Sequence, residues 1–275
     1  MDYIVLDIEF NGRKFASELP MEVIEIGAVR LDASLRVTDE FAAFVKPVYF
    51  AKLNSFIKKK TGIAQEQIDG AAGFPQVIRD FVAWLRRGEP FLLVTWGGED
   101  LKRIIYDTRM HKLDDAFWMA TDYFDLLKGY LRYRNVTNDV SVEAALQELG
   151  ISADGSAHRA LDDAKMTADI FRAVFPHLDL EQKKRFKDQF TNAKERRLIK
   201  TAVRTMLTKK LTPSWELFSE RYLAEKGETA DPRKLEEMRE LLAAEIEKAR
   251  SAPEKRSGRP GSADSPKPAD PESGD

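Results

Sequence analysis

The chain has 275 residues, 43% of them apolar and 33% charged, a balance ordinary for a globular protein with one substantial core and an appendage. It has no cysteine, which excludes a disulfide framework and thiolate-held zinc or iron–sulfur centres. Its three histidines, His111, His158 and His177, are too few for a histidine-rich metal site, so a bound metal would be held mainly by oxygen, the donor set of Mg²⁺ or Mn²⁺.

The net charge of −2 conceals an asymmetry. Residues 1–180 carry 22 Lys+Arg against 28 Asp+Glu, and residues 181–250 carry 18 against 13. The total gives no support for a polyanionic partner, while its distribution leaves one open. No basic N-terminal segment leads into an apolar stretch, and no apolar run reaches membrane-spanning length, so a cytoplasmic protein without a membrane partner is expected.

Residues 1–10, MDYIVLDIEF, combine an apolar, β-branched run with two acids, Asp7 and Glu9, and read as a strand. A polar loop over 11–20 follows. The alternation of Val23–Leu31 predicts a second strand and Val37–Val45 a third, joined closely enough for an antiparallel meander. Residues 53–69, around Lys58-Lys59-Lys60-Thr61-Gly62, suggest short helices. An amphipathic helix starts at Pro75, presents Val77, Ile78, Phe81, Val82 and Leu85 on one face, and stops at Gly88.

Phe91–Thr95 reads as a short buried strand, with Trp96-Gly97-Gly98-Glu99-Asp100 opening a helix to about Met110. A strand near Trp118–Thr121 and helices at 124–133, 141–149 and 160–175 complete the pattern. Three meander strands followed by strands reached through helical crossovers predict a mixed five-stranded sheet flanked by helices. Three divisions follow: 1–178 as the principal domain, 179–250 as a helical, partly basic extension, and 251–275 as a disordered tail rich in Pro, Ser and Gly. Within the extension, 181–210 shows a basic helical pattern with 11 Lys+Arg against 3 Asp+Glu, and helices are expected at 214–226 and 232–249.

Three stretches carry candidate chemistry. Asp7 and Glu9 stand two apart on a strand and so share a face. Two acids there imply either an exposed edge or a compensating divalent cation. Asp100 follows a strand at the first turn of a helix, where it either complements the macrodipole or serves a ligand beyond the strand's carboxyl end. His158 and Asp163, if both helical, would lie about 140° apart and could not share a site. His158 is therefore placed on the Gly155-Ser156-Ala157 loop and Asp163 in the first helical turns, where both can face Asp7. A capped helix start with a surface histidine is the alternative.

Taken in order, Asp7-x-Glu9, Asp100 and His158-x4-Asp163 resemble the three exonuclease motifs of the DEDDh family, 3′-5′ exonucleases of the ribonuclease H-like fold. The resemblance spans 1–175 and includes Glu22-Val-Ile-Glu25-Ile-Gly-Ala-Val, Thr61-Gly62-Ile63 and His158-Arg-Ala-Leu-Asp-Asp-Ala with Thr167-Ala168. Arg159 occupies the position where the tyrosine-type branch has its Tyr. Asp7-x-Glu9-Phe10-Asn11 and Thr95-Trp96-Gly97-Gly98-Glu99-Asp100 look most like KapD-type and ERI-like members, several of which act on RNA.

The resemblance implies that Asp7, Glu9, Asp100 and Asp163 ligate two Mg²⁺ or Mn²⁺ ions and that His158 is the general base, with nucleoside 5′-monophosphates released from single-stranded nucleic acid. Phe10, Thr61 and Trp96 become candidate contacts for the terminal nucleotide. Glu22 and Glu25 either line the cleft or are simply exposed on their strand. Lys58–Lys60 and the basic stretch 181–210 could follow a phosphate backbone, while a protein partner or packing on the core would serve the extension equally. Two other functions are open: a regulatory binding protein on the same fold, as the KapD type suggests, and a nuclease confined to short oligonucleotides.

Overall fold

The computed structural model describes residues 1–12, 21–88, 90–152, 158–223 and 231–251. The loop reading over 13–20, the Gly155-Ser156-Ala157 loop, part of the 214–226 helix and the tail beyond Ser251 lie outside the described residues. The described chain separates into two units, Met1–Lys187 and Asp188–Asp275.

The first unit is built on strand β1 (Asp2–Asn11), whose neighbours are β2 (Glu22–Leu31), antiparallel, and β4 (Phe91–Thr95), parallel. Strand β3 (Val37–Phe44) continues the meander beyond β2, and β5 (Asp122–Asp125) pairs in parallel with β4. A two-residue strand, β6 (Lys184–Arg185), adds to β5 antiparallel, so the sheet has six strands in the order β3-β2-β1-β4-β5-β6 rather than five. Two polar residues carry no periodicity from which a strand could be read. Besides their backbone pairing to β5, Arg185 and the preceding Lys183 both form ion pairs with Asp122.

The alternation of β1 divides the core. Ile4, Leu6 and Ile8 point to one face, against α3 (Phe74–Leu85) and α4 (Glu99–Met110). Tyr3 and Val5 point to the other, against α6 (Leu126–Arg134), α7 (Val142–Leu149) and α8 (Ala160–Val174). Short helices α1 (Ser55–Thr61) and α2 (Gln65–Asp69) cover the β2–β3 side.

Two local expectations fail for identifiable reasons. The aromatic run around Trp118 is not a strand but helix α5 (Ala116–Ala120), and the strand begins after it, at Asp122. A five-residue apolar run fits either period, and tertiary contact decides. Trp118 is buried against Phe81, with ring centroids 6.0 Å apart. The helix expected from Phe124 starts at Leu126, because the Asp125 carboxylate accepts the Lys128 N–H at 3.0 Å and caps it.

The second unit contains α9 (Ala193–Thr208), α10 (Trp215–Tyr222) and α11 (Pro232–Ser251) around Ile199, Val203, Met206, Phe218, Met238 and Leu242. Helix α9 begins at Ala193 rather than at 181. Asn192 and Glu195 form a reciprocal capping box there, which sets the first turn. Among the described residues, no helix is long and apolar enough to cross a membrane.

Candidate active site

The odd-numbered face of β1 is apolar through Tyr3 and Val5, which α8 covers; the Tyr3 and Phe171 rings lie 5.2 Å apart. At Asp7 and Glu9 the same row passes the last apolar turn of α8 and meets its polar start. Asp163 sits in the first turn of α8, with its N–H donating to Arg159 O at 2.8 Å. Asp100 enters from the first turn of α4, after a turn in which Gly97 takes φ +98, a backbone conformation that favours glycine.

One residue permits this assembly by lacking a side chain. Gly27 is the cross-strand partner of Asp7, and a Cβ there would lie 2.1 Å from the Ala160 carbonyl carbon and the Leu161 nitrogen. Both are main-chain atoms, so no rotamer change could make room. The glycine lets the start of α8 lie directly on β2, and this brings Asp163 to the end of β1.

A buried ion pair fixes the same helix start. Glu25, 3% exposed, accepts from Arg159 Nη2 at 2.9 Å and from its Nε at 3.2 Å, and also from the Ala160 N–H at 3.2 Å. Arg159 occupies the N-cap without a capping side chain of its own, and Glu25 supplies the acceptor from the neighbouring strand. His158 immediately precedes this clamp, at φ +70. Glu25 therefore neither lines the cleft nor lies on an exposed strand. Nor does Glu22, which is 1% exposed and accepts the N–H groups of Val48, Tyr49 and Phe50 at 2.6–2.9 Å. Burial of both acids was invisible in the alternation of β2, because α8 covers one face of that strand and the chain after β3 covers the other.

The electrostatics describe a site short of positive charge. Burial first, and then the charges of Asp100, Asp163 and Glu9, hold the Asp7 carboxyl well above the ordinary range. Burial with the charges of Asp163 and Glu25 lifts Glu9 to about 7, against the pull of Lys60. Asp100 rises to about 7, mainly by burial, although its own N–H and that of Ile8 oppose the rise. Asp163 reaches about 6, with His158 and Lys60 opposing the effects of burial and Glu143. Glu9, His158 and Asp163 each offer a ligand atom within 4.8 Å of the others. Four crowded carboxyls beside one imidazole make a donor set that suits a hard, oxygen-seeking divalent cation.

The remaining candidates are engaged with the protein. Phe10 is half-buried with the Arg103 guanidinium 5.7 Å from its ring centre. Trp96, also half-buried, donates from Nε1 to Val140 O at 2.9 Å and packs 5.7 Å from the Tyr130 ring. Thr61 is 3% exposed; its hydroxyl donates to Ile57 O and accepts from the Ile63 N–H, closing the end of α1. Of the other histidines, His111 stacks on Phe74 and His177 on Tyr133. Two further residues act on these acids: Glu143, which the sequence reading did not single out and which α7 brings close enough to act on Asp163, and Lys60, read there only as part of a basic run that could follow a phosphate backbone, whose charge reaches Asp7, Glu9 and Asp163. Neither lies in a motif with the acids, and only the fold brings them near.

Comparison with known proteins matches the chain to a family. The exonuclease family model matches residues 4–171, more than half of the chain. Mouse 3′-5′ exoribonuclease 1 is 30% identical over 179 residues, covering 62% of this chain and 52% of that protein. The Bacillus subtilis protein named "Probable 3′-5′ exonuclease KapD" is 28% identical over 180 residues, covering 62% of this chain and 83% of that one. The solved nuclease domain of 3′hExo, a DEDDh family member bound to rAMP, superposes with a TM-score of 0.61 at 25% identity, over 68% of this chain and 97% of that one. The chain belongs to the exonuclease family, in its DEDDh branch with the ribonuclease H-like fold. It spans about half the length of the mammalian exoribonucleases that it matches.

Proposed function

We propose that the protein is a 3′-5′ exonuclease that hydrolyses single-stranded nucleic acid, RNA in preference to DNA, to nucleoside 5′-monophosphates. The observation that carries this reading is the convergence of Asp7, Glu9, Asp100 and Asp163 with His158 at the carboxyl ends of β1 and β4. The exoribonuclease relatives and the rAMP-bound neighbour support the RNA preference.

The four carboxylates would hold two Mg²⁺ or Mn²⁺ ions, which when bound offset the crowded negative charge and stabilise the attacking and leaving oxygens of an in-line displacement. His158 takes a proton from the attacking water as its oxygen forms the new bond to phosphorus. The bond from phosphorus to the 3′ oxygen breaks, and the shortened strand leaves with that oxygen. Glu25 and Arg159 hold the His158–Asp163 segment in register with β1. Phe10 and Trp96 keep part of their surface open and are the candidate nucleotide contacts, whereas the Thr61 side chain is confined to closing α1.

The test is digestion of 5′-labelled single-stranded RNA and DNA with Mg²⁺, with Mn²⁺ or with EDTA. A ladder growing from the 3′ end is expected, faster on RNA, and absent both in EDTA and in Asp7→Ala. Hydrolysis that survives both changes would overturn the reading. Dinucleotides run beside 20-mers separate an enzyme of short oligonucleotides from one of long strands.

A further inference from the structure

The second unit carries a feature that the carboxylate site does not use. Between Glu195 and Glu216 the sequence has six Lys or Arg and no acid. Most of this stretch is α9, whose inner face, Ile199, Ala202, Val203 and Met206, is buried in the core of its own unit. That burial fixes which side faces water.

Lys194, Arg197, Lys200 and Arg204 are all exposed and, at helical spacing, fall within an arc of about 120° on the outer side. Their Cα positions advance about 4.5–6 Å at a time and cover about 15 Å of the axis. Thr201 is exposed within the same arc.

Several cations on the other helices have an acidic partner on the same helix. Lys102 pairs with Glu99, Arg172 with Asp169, Arg239 with Glu236 and Arg250 with Glu247, each three residues apart. Among the described residues, none of the four on α9 makes an ion pair. A helix that buries its apolar face in its own core has no such face left for a lipid surface. A protein interface would need an apolar centre, whereas the outer arc carries the four cations with Thr201, Thr208 and Ala193, and the exposed Leu207 lies outside it. A linear row of unpaired cations matches a chain of phosphates.

We propose that the outer face of α9 binds the phosphate backbone of a nucleic-acid strand through Lys194, Arg197, Lys200 and Arg204. The contact is independent of sequence and sensitive to salt. It goes beyond the catalytic reading, because it requires no hydrolysis.

The test uses the full chain, a fluorescein-labelled 30-nucleotide single-stranded RNA, and anisotropy in EDTA at 50, 100 and 200 mM KCl. The variant is Lys194→Gln, Arg197→Gln, Lys200→Gln and Arg204→Gln together, substitutions that keep good helix formers at exposed sites. At about 0.7 per phosphate contact, losing four contacts should flatten the slope of log affinity against log salt by about 3. Affinity at 50 mM KCl should fall at least tenfold, and hydrolysis of a trinucleotide in Mg²⁺ should be unchanged. Arg197→Gln with Arg204→Gln alone should give about half the change in slope, which keeps the test valid should the fourfold variant fail to fold. Lys248→Gln with Arg250→Gln, on α11, should change neither. An unaltered slope in both α9 variants, an equal loss in the α11 control, or binding to phosphatidylserine vesicles in place of RNA would overturn the proposal. Because binding is read in EDTA, a protein that binds but does not hydrolyse would refute the catalytic reading alone.

Discussion

Asp100→Asn should make the metal-free protein more stable at pH 8 while destroying the proposed activity. The Asp100 carboxyl is raised from 3.8 to about 7, first by burial and then by the charges of Glu9 and Glu99. A pKa raised in the folded state means that folding favours the protonated form. Its contribution is fully present below the unfolded pKa and is lost as pH rises through the folded one. The window therefore runs from about pH 4 to about pH 7. At about 1.4 kcal/mol per unit, the whole shift corresponds to about 4 kcal/mol. Asp100 keeps a partly open surface that solvent screens, so a gain of about 2 kcal/mol is expected at pH 8. Asparagine keeps the shape and an acceptor oxygen for the Ile8 N–H. Urea unfolding in EDTA at pH 4.5 and pH 8 measures both ends of the window. The variant's advantage should appear at pH 8 and shrink at pH 4.5, and Mn²⁺ should stabilise the wild type more than the variant. A folded variant that in EDTA is less stable than wild type at pH 8, or a wild type whose stability rises from pH 4.5 to pH 8, would refute the argument.

Gly27→Ala should be far more damaging than its size suggests, because the new methyl meets the main chain of Ala160 and Leu161. A loss of about 2–3 kcal/mol in thermal or urea unfolding is expected, together with a fall in kcat as Asp163 is displaced. Arg159→Gln leaves Glu25 buried with only the Ala160 N–H as partner. It should cost about 2–3 kcal/mol and reduce kcat more than it raises KM. Arg159→Lys should restore little of this, since an ammonium cannot reproduce the paired guanidinium contact; full rescue by lysine would show that charge alone matters. Thr167 Oγ1 is buried without a hydrogen-bond partner. Thr167→Val should accordingly raise stability by about 1 kcal/mol, and a comparable loss would reveal a hydroxyl that is satisfied after all.

Much of the candidate site was readable because its chemistry is strange in context. Acids two apart on an apolar strand, and an acid placed just after another strand, conflict with the pattern around them, and such conflicts stand out without coordinates. The spacing of His158 and Asp163 required a break between them, and His158 does take a left-handed conformation just before α8. Positions whose role depends on what covers them behaved otherwise. Glu22 and Glu25 look like ordinary polar residues of an alternating strand, yet both are buried and accept several donors. The aromatic run around Trp118 suits a strand or a helix equally until Phe81 meets it.

The sequence by itself determined the order of the main elements, the two-sided hydrophobic pattern of β1, and which carboxylates and which histidine are candidates for chemistry. These are local properties of alternation, spacing and residue type. Tertiary structure alone decided that β6 closes the sheet, that Gly27 admits the start of α8, and that the Glu25–Arg159 pair holds that start in place. Each depends on residues far apart in the chain: Glu25 and Arg159 are separated by 134 positions. No local pattern encodes a contact that exists only after two elements have packed.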